Sequence, residues 1–337
     1  MNKLIYKTAV CIALLVVSFQ AKSQSNAAYY TKINEAEVLI SDSLFKEALV
    51  KYKQAFSLQH NATANAYYNA AVCAALAGKK KDAFSYLGKL SCKGIPLEEI
   101  EKQQAFISFK ETKEWQRFAK QYLSSGKRCA EKINQGYRDT LLAMVVSDQY
   151  YHKMRAELTS KKSDSILVAA YVDSINYITN RNTDAFIKLV TKNGFPSEQL
   201  VGATKPDGSV FYNIMLRHAV QRGRKDIVPV LLKAVENGEL SPHVYAYHAE
   251  YFEKGKFGST VVRGTANGII ELPFTPEEEE AINKERAKLS MESLSDLRKK
   301  AKFSISDRRF YINKPNSTIR FFKSREEMLQ SVSENIL

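Results

Sequence analysis

No apolar run in this chain reaches the roughly 20 residues that a membrane-spanning helix needs. The longest, Ala9–Phe19, has 11. There is no Cys-x-x-Cys pair and no Cys/His cluster at metal-ligand spacing, so neither a metal nor a cofactor is expected. The chain also lacks the Gly-x-Ser-x-Gly nucleophile elbow, His-Glu-x-x-His, the Gly-x-x-x-x-Gly-Lys phosphate loop and Gly-x-Gly-x-x-Gly. Ser43-x-x-Lys46 and Ser124-x-x-Lys127 match a Ser/Lys pattern short enough to arise by chance in a lysine-rich chain. Fourteen glycines and eight prolines are few for 337 residues, and no long Ser/Gly/Pro linker occurs. The parts of the chain are therefore expected to pack against one another.

The N-terminus has the three parts of a secretory signal peptide. Lys3 and Lys7 form a basic start, Ala9–Phe19 an apolar run, and Ala21-Lys22-Ser23 a small-residue cleavage site. Residues 1–23 are predicted to be removed, leaving an exported protein, periplasmic or extracellular, with no transmembrane segment. Cleavage takes away Lys3, Lys7 and Lys22, which lowers the formal charge from +14 to +11. Export argues against nucleic acid as the partner. The basic residues lie in short scattered runs: Lys79-Lys80-Lys81, Lys161-Lys162, Arg222-Gly223-Arg224-Lys225 and Arg298-Lys299-Lys300. Such runs are solvated faces or contacts for an anionic envelope surface. Of the cysteines outside the signal peptide, Cys73 sits among alanines as a small core residue. Cys92 and Cys129 are the better disulfide pair.

Repeats organise the first third. Residues 29–61 and 64–92 each contain two short amphipathic helices. Ile33, Ala36 and Ile40 share one face, and Ala48, Tyr52 and Ala55 another. Tyr67, Ala71 and Ala74 are followed by Ala83, Leu87 and Leu90. Ala48 and Ala83 occupy corresponding positions, and Gly78 separates the helices of the second unit. This resembles the tetratricopeptide repeat, which places small residues where helices cross. Residues 94–125 are predicted to cap the solenoid, with Trp115, Phe118 and Tyr122 as anchors.

Ser124-Ser125-Gly126-Lys127 is predicted to break the pattern. Helices are then expected over about 128–160, 166–180, 182–192, 210–222, 224–237, 242–254 and 276–301. Asn193-Gly194 and Gly238 end helices, while Ser241-Pro242 and Thr275-Pro276-Glu277-Glu278 start them. Arg309–Asn313 and Thr318–Phe322 look β-like, and a last helix is expected from Ser324. The expected fold is mostly α. A tetratricopeptide-like solenoid (24–125) is followed by an α-helical domain (126–301) and a short hairpin-like tail with a terminal helix (302–337).

Asp148-Gln149, Gly194-Phe195-Pro196, Val201-Gly202, His218, Gly255-Lys256, Pro273, and Asn283 with Arg286 recur in an order that resembles one bacterial domain of unknown function. The resemblance covers about residues 141–301. Its members are often exported and sometimes follow helical repeats. This chain departs from the family pattern at His248-Ala249, where Asp-Arg is usual, and at Phe257-Gly258-Ser259, which shortens a Gln-x-Tyr-Gly-Thr motif. The resemblance implies a fold neighbourhood and no reaction.

Asp148, Gln149 and His218 each interrupt or flank an apolar helical stripe. Burying such groups costs several kcal/mol unless they are partnered, so Asp148 and His218 are expected within hydrogen-bonding distance. They would be either a register-fixing bridge or an acid/base pair. His243 and His248 are five apart, which does not put them on one helix face. The favoured function is an exported interaction scaffold that binds a protein or peptide through the repeat. A hydrolase-like enzyme built on Asp148, Gln149 and His218 is the first alternative, and a binder of anionic glycan or envelope surface the second.

Overall fold

A computed structural model describes residues 25–59, 62–161, 165–259, 262–265, 268–271 and 274–312. The predicted signal peptide, the Thr318–Phe322 run and the helix from Ser324 lie outside them. The described chain is mostly α-helical. Four helices, α1 (25–41), α2 (Phe45–Leu58), α3 (Ala64–Leu76) and α4 (Lys80–Ser91), stack as two helical hairpins. Ala48 and Ala83 are fully buried, as close helix crossings require. Gly78 takes the left-handed conformation (φ 71°) that joins α3 to α4. Three short helical segments, α5 (Leu97–Glu101), the 3-10 turn Gln104–Phe106 and α6 (Ile107–Lys110), lead into α7 (Lys113–Ala130). Trp115 is buried against Phe84 and Phe118 and closes this end of the core.

Helix α7 runs straight through Ser124-Ser125-Gly126-Lys127, contrary to the predicted break. A mid-helix glycine costs about 1 kcal/mol, and packing offsets it here: a Cβ on Gly126 would sit 3.7 Å from the carbonyl oxygen of Ser91. That close approach places Cys129 beside Cys92, and the two form a disulfide with Cα atoms 4.9 Å apart. Cys73 is free and buried.

The second region begins with α8 (Gln135–Ser160), capped by Asn134, and α9 (Ser165–Asn193). The two helices predicted over 166–192 are one. Asn182 does not interrupt it, because its amide turns inward to donate to the Met144 carbonyl (3.0 Å) and to Ser147 Oγ (3.0 Å). Short α10 (Glu198–Val201) is followed by α11 (Asn213–Gln221), α12 (Ile227–Glu236) and α13 (Pro242–Ala249). A two-stranded antiparallel hairpin, β1 (Val262–Thr265) and β2 (Gly268–Glu271), comes next. It was not expected from the sequence. Thr275 and Glu278 form the expected capping box on α14 (Pro276–Lys288). The single helix predicted over 276–301 is two, since α15 (Leu294–Ser306) starts afresh at the Ser293 cap. Between them Ser290 adopts φ 56°, and Glu292 turns into the interior.

One apolar core fills the repeat. It takes in Phe310 and Ile312 from the far end of the chain. A second core joins α8, α9 and α11–α13. The seam between them is polar and closely bonded. Asn26 donates to the Glu236 carbonyl (2.7 Å), Tyr30 to the Leu240 carbonyl (3.0 Å), Asn34 to the Ser290 carbonyl (2.7 Å), and the Ala203 amide to the Lys93 carbonyl (2.7 Å). The first satisfies a carbonyl at the end of α12, which its own ladder leaves open.

Residues 309–312, expected to be β-like, are not a strand. They lie on α3 instead. Asn69 Oδ1 accepts the Tyr311 amide (2.9 Å), while the Asn69 and Asn65 side-chain amides both donate to the Tyr311 carbonyl (3.0 and 2.7 Å). Tyr68 donates to the Arg309 carbonyl (2.9 Å), and Phe310 stacks on Phe45 at 5.5 Å. The repeat therefore holds a segment of its own chain by the peptide groups.

Candidate functional site

Asp148 sits about halfway along α8 on the buried face that continues Tyr137, Leu141 and Met144. His218 comes from α11, which α9 supports from behind. The two meet as expected: His218 Nε2 lies 2.9 Å from Asp148 Oδ1, and both side chains are almost fully buried. Gln149 is exposed, yet its amide donates to Asp148 Oδ2 (2.8 Å). Thr179 on α9 adds a longer hydrogen bond to Oδ1 (3.4 Å).

The fold adds a residue that the sequence analysis did not single out. His152 is four residues after Asp148 and so lies on the same helix face. Its ring stands nearly parallel to that of His218, with centroids 6.3 Å apart. One donor atom each from Asp148, His152 and His218 lies within 4.8 Å of the others. The spacing Asp148-x-x-x-His152 was visible in the sequence. Spacing along the chain does not reveal the group, because His218, which completes it, is 70 positions from Asp148.

Burial alone would push the Asp148 carboxyl up. Hydrogen bonds from His218 and Gln149, with the nearby His218 and His152 rings, more than offset it and hold the carboxyl below its ordinary value. The arrangement fixes a carboxylate with an imidazole oriented on it, which suits proton exchange or cation binding. The hydroxyl that touches the pair, Thr179, donates to the carboxylate, so it is not an activated nucleophile.

A double-mutant cycle separates this pairing from two independent buried groups. Asp148→Asn and His218→Gln should each cost about 1–3 kcal/mol in urea unfolding. The double variant should lose less than the sum, because the interaction can be lost only once. Strict additivity would remove the pairing as an energetic unit.

The other histidines do not join this group. His243 Nε2 lies 2.7 Å from Glu292 Oε2, and His248 Nε2 lies 3.0 Å from Asn213 Oδ1. Burial, reinforced by the Arg217 charge, pushes the His248 imidazole down from 6.5 to about 4. The folded protein thus keeps His248 neutral where the unfolded chain protonates it. Its contribution is fully present above pH 6.5 and is lost as pH falls from 6.5 through 4, about 3 kcal/mol in all. Urea unfolding at pH 6.5, 5 and 4 should show that loss in the native protein and a flatter profile in His248→Gln. Equal slopes would refute it.

The remaining sequence candidates take structural places. The residue pair Glu250 and Arg286 fastens the loop after α13: Glu250 accepts the Phe257 and Ser259 amides (2.6 and 3.1 Å), and Arg286 donates to the Phe257 carbonyl (2.8 Å). Two of the basic runs are engaged in ion pairs. Lys300 is buried between Glu37 (2.7 Å) and Glu292 (3.3 Å), Lys299 pairs with Asp42, and Arg224 bonds to Asp184 and Asp226. Ser43 lies in the tight turn between α1 and α2 with φ 60°, and Lys127 is exposed on α7.

Beside the site, α8 and α9 extend as a helical hairpin. Among the described residues, α8 after Asp148 and α9 before Ile175 bury no side chain. Val146, Tyr150, Ile166, Leu167 and Tyr177 expose large apolar surfaces along the two helices, Ile166 to 77 %. Among the described residues no helix is long and apolar enough to cross a membrane. No family model, no curated protein and no solved structure matches this chain.

Proposed function

We propose that this chain is an exported interaction scaffold, in which a tetratricopeptide-like repeat braces the second domain and the outer α8–α9 hairpin meets a partner protein. The exposed apolar side chains of that hairpin carry the reading. Exposed apolar patches mark interaction sites, and these residues are spread along two helices of 26 and 29 residues whose outer halves bury no side chain among the described residues. Asn65 and Asn69 of α3 hold residues 309–312, so a partner peptide using those side chains would have to displace them. The Cys92–Cys129 disulfide supports the exported compartment, since such bonds persist where thiols are not kept reduced. The local ion pairs of the basic runs leave the anionic-surface alternative with less free charge.

A photo-crosslinking residue at Tyr177 tests the reading in the native envelope, with the same residue at part-exposed Lys110 on the cap as control. A discrete adduct from position 177, lost on Ile166→Ser/Val146→Ser, is expected. Adducts from position 110 alone would overturn it. The enzyme alternative keeps one observation in its favour, the buried Asp148–His218 pair beside His152.

A further inference from the structure

We propose that Asp148, His152 and His218 bind one divalent first-row transition-metal ion of the zinc class. The chemistry of the donors selects the class. Two imidazoles and a carboxylate suit zinc and its neighbours, whereas calcium and magnesium take oxygen ligands. The two helices also supply a rigid frame. Asp148 and His152 share one face of α8, and α11 brings His218 to them across a packed core.

Distances fit such a site. Metal–ligand bonds of about 2.0–2.1 Å in tetrahedral geometry separate neighbouring donors by roughly 3.3 Å. Asp148 Oδ1 and His218 Nε2 already stand 2.9 Å apart, and the His152 donor completes a set within 4.8 Å. A few tenths of an ångström between Asp148 and His218 and a small swing of the less buried His152 would seat the ion. On binding, the Asp148–His218 hydrogen bond is replaced by two bonds to the metal. Nε2 of His218 then offers its lone pair, its proton passing to Nδ1 in a neutral ring or to solvent from an imidazolium.

The surroundings match what metal ligands need. Ligating carboxylates are themselves held by hydrogen bonds, and here the Gln149 amide holds Oδ2 while the Thr179 hydroxyl reaches Oδ1. Asp148 and His218 close the inner side of the site, whereas His152 is only half-buried and Gln149 is exposed. Three protein ligands with one open side leave a fourth position for water or a ligand, as in catalytic rather than structural zinc sites.

Cobalt(II) is the probe, because its visible absorption reports coordination directly. Untagged protein spanning residues 24–337 is stripped with chelator and titrated with Co2+, then with Zn2+. A visible band saturating at one equivalent and bleached by stoichiometric Zn2+ is expected, with a rise in Tm on Zn2+ addition. His152→Ala should weaken binding by about tenfold or more while leaving the metal-free melt unchanged. His152→Gln serves as the second variant should the alanine protein misfold. Absence of both the band and the Zn2+-dependent shift at millimolar metal would overturn the proposal. So would native-like binding in both His152 variants, which would place the ion elsewhere.

Discussion

Lys300→Ala is expected to cost about 3–5 kcal/mol, the range for removing one partner of a buried ion network. Lys300 is fully buried between α1 and the α14–α15 loop, where it bonds to Glu37 and meets Glu292. Burial alone would drive its ammonium down, yet the Glu292 and Glu37 charges more than offset that and raise it. Glu292 is likewise held well below its usual value by His243, Lys300 and Arg286 against the opposing effect of burial. Deleting the ammonium strands Glu37 and Glu292 without their shared cation. Urea unfolding at pH 7 measures the loss. Lys300→Ala/Glu37→Gln should recover part of it, since one stranded charge is then gone. A loss under about 1 kcal/mol would mean that water reaches the network and screens it.

Cys92→Ala/Cys129→Ala is expected to lose about 3–4 kcal/mol, the chain-entropy value for a cross-link across 37 residues. The bridge ties the end of α4 to the end of α7 and holds the cap over the repeat core. Reductant should lower the Tm of the native protein and leave the double variant unmoved. Cys73→Ala is the control for reductant acting elsewhere. Identical melts with and without reductant would show that the bridge contributes nothing.

The repeat was legible because its helices are locally amphipathic and its crossings need alanine. Ala48, Ala83, Tyr52 and Leu87 are buried as their spacing required. Caps were equally legible at Thr275 and Ser241, where a side chain and the next few residues settle the matter. Tertiary forces decided the errors. Gly126 stays helical because α4 packs on it, and α14 stops short because Glu292 must reach Lys300 and Arg286. A serine with positive φ, such as Ser290, carries no sequence signature of that conformation. Residues 309–312 alternate like a strand but find side-chain amides of α3 in place of a strand partner.

The candidate site was half legible. Asp148 and His218 stand out because each interrupts an apolar stripe, and a buried polar group implies a partner. His152 lies where α8 leaves the core, so no apolar stripe marks it. Gln149 was expected to meet a hydrogen-bond partner, and it bonds to buried Asp148 from the exposed side.

Residues 309–312 of the chain itself are held on α3, whereas the outer halves of α8 and α9 bury no side chain among the described residues. Native-state hydrogen exchange on the Tyr311 amide tests this arrangement most directly, because that N–H has one named acceptor, Asn69 Oδ1. Tyr311 should exchange as slowly as the amides of α3, and Asn69→Leu should release it, while amides in residues 150–160 and 166–174 exchange faster than those of α3. Exchange of Tyr311 at the rate of an unstructured peptide, with the hairpin protected to the level of the core, would contradict the account.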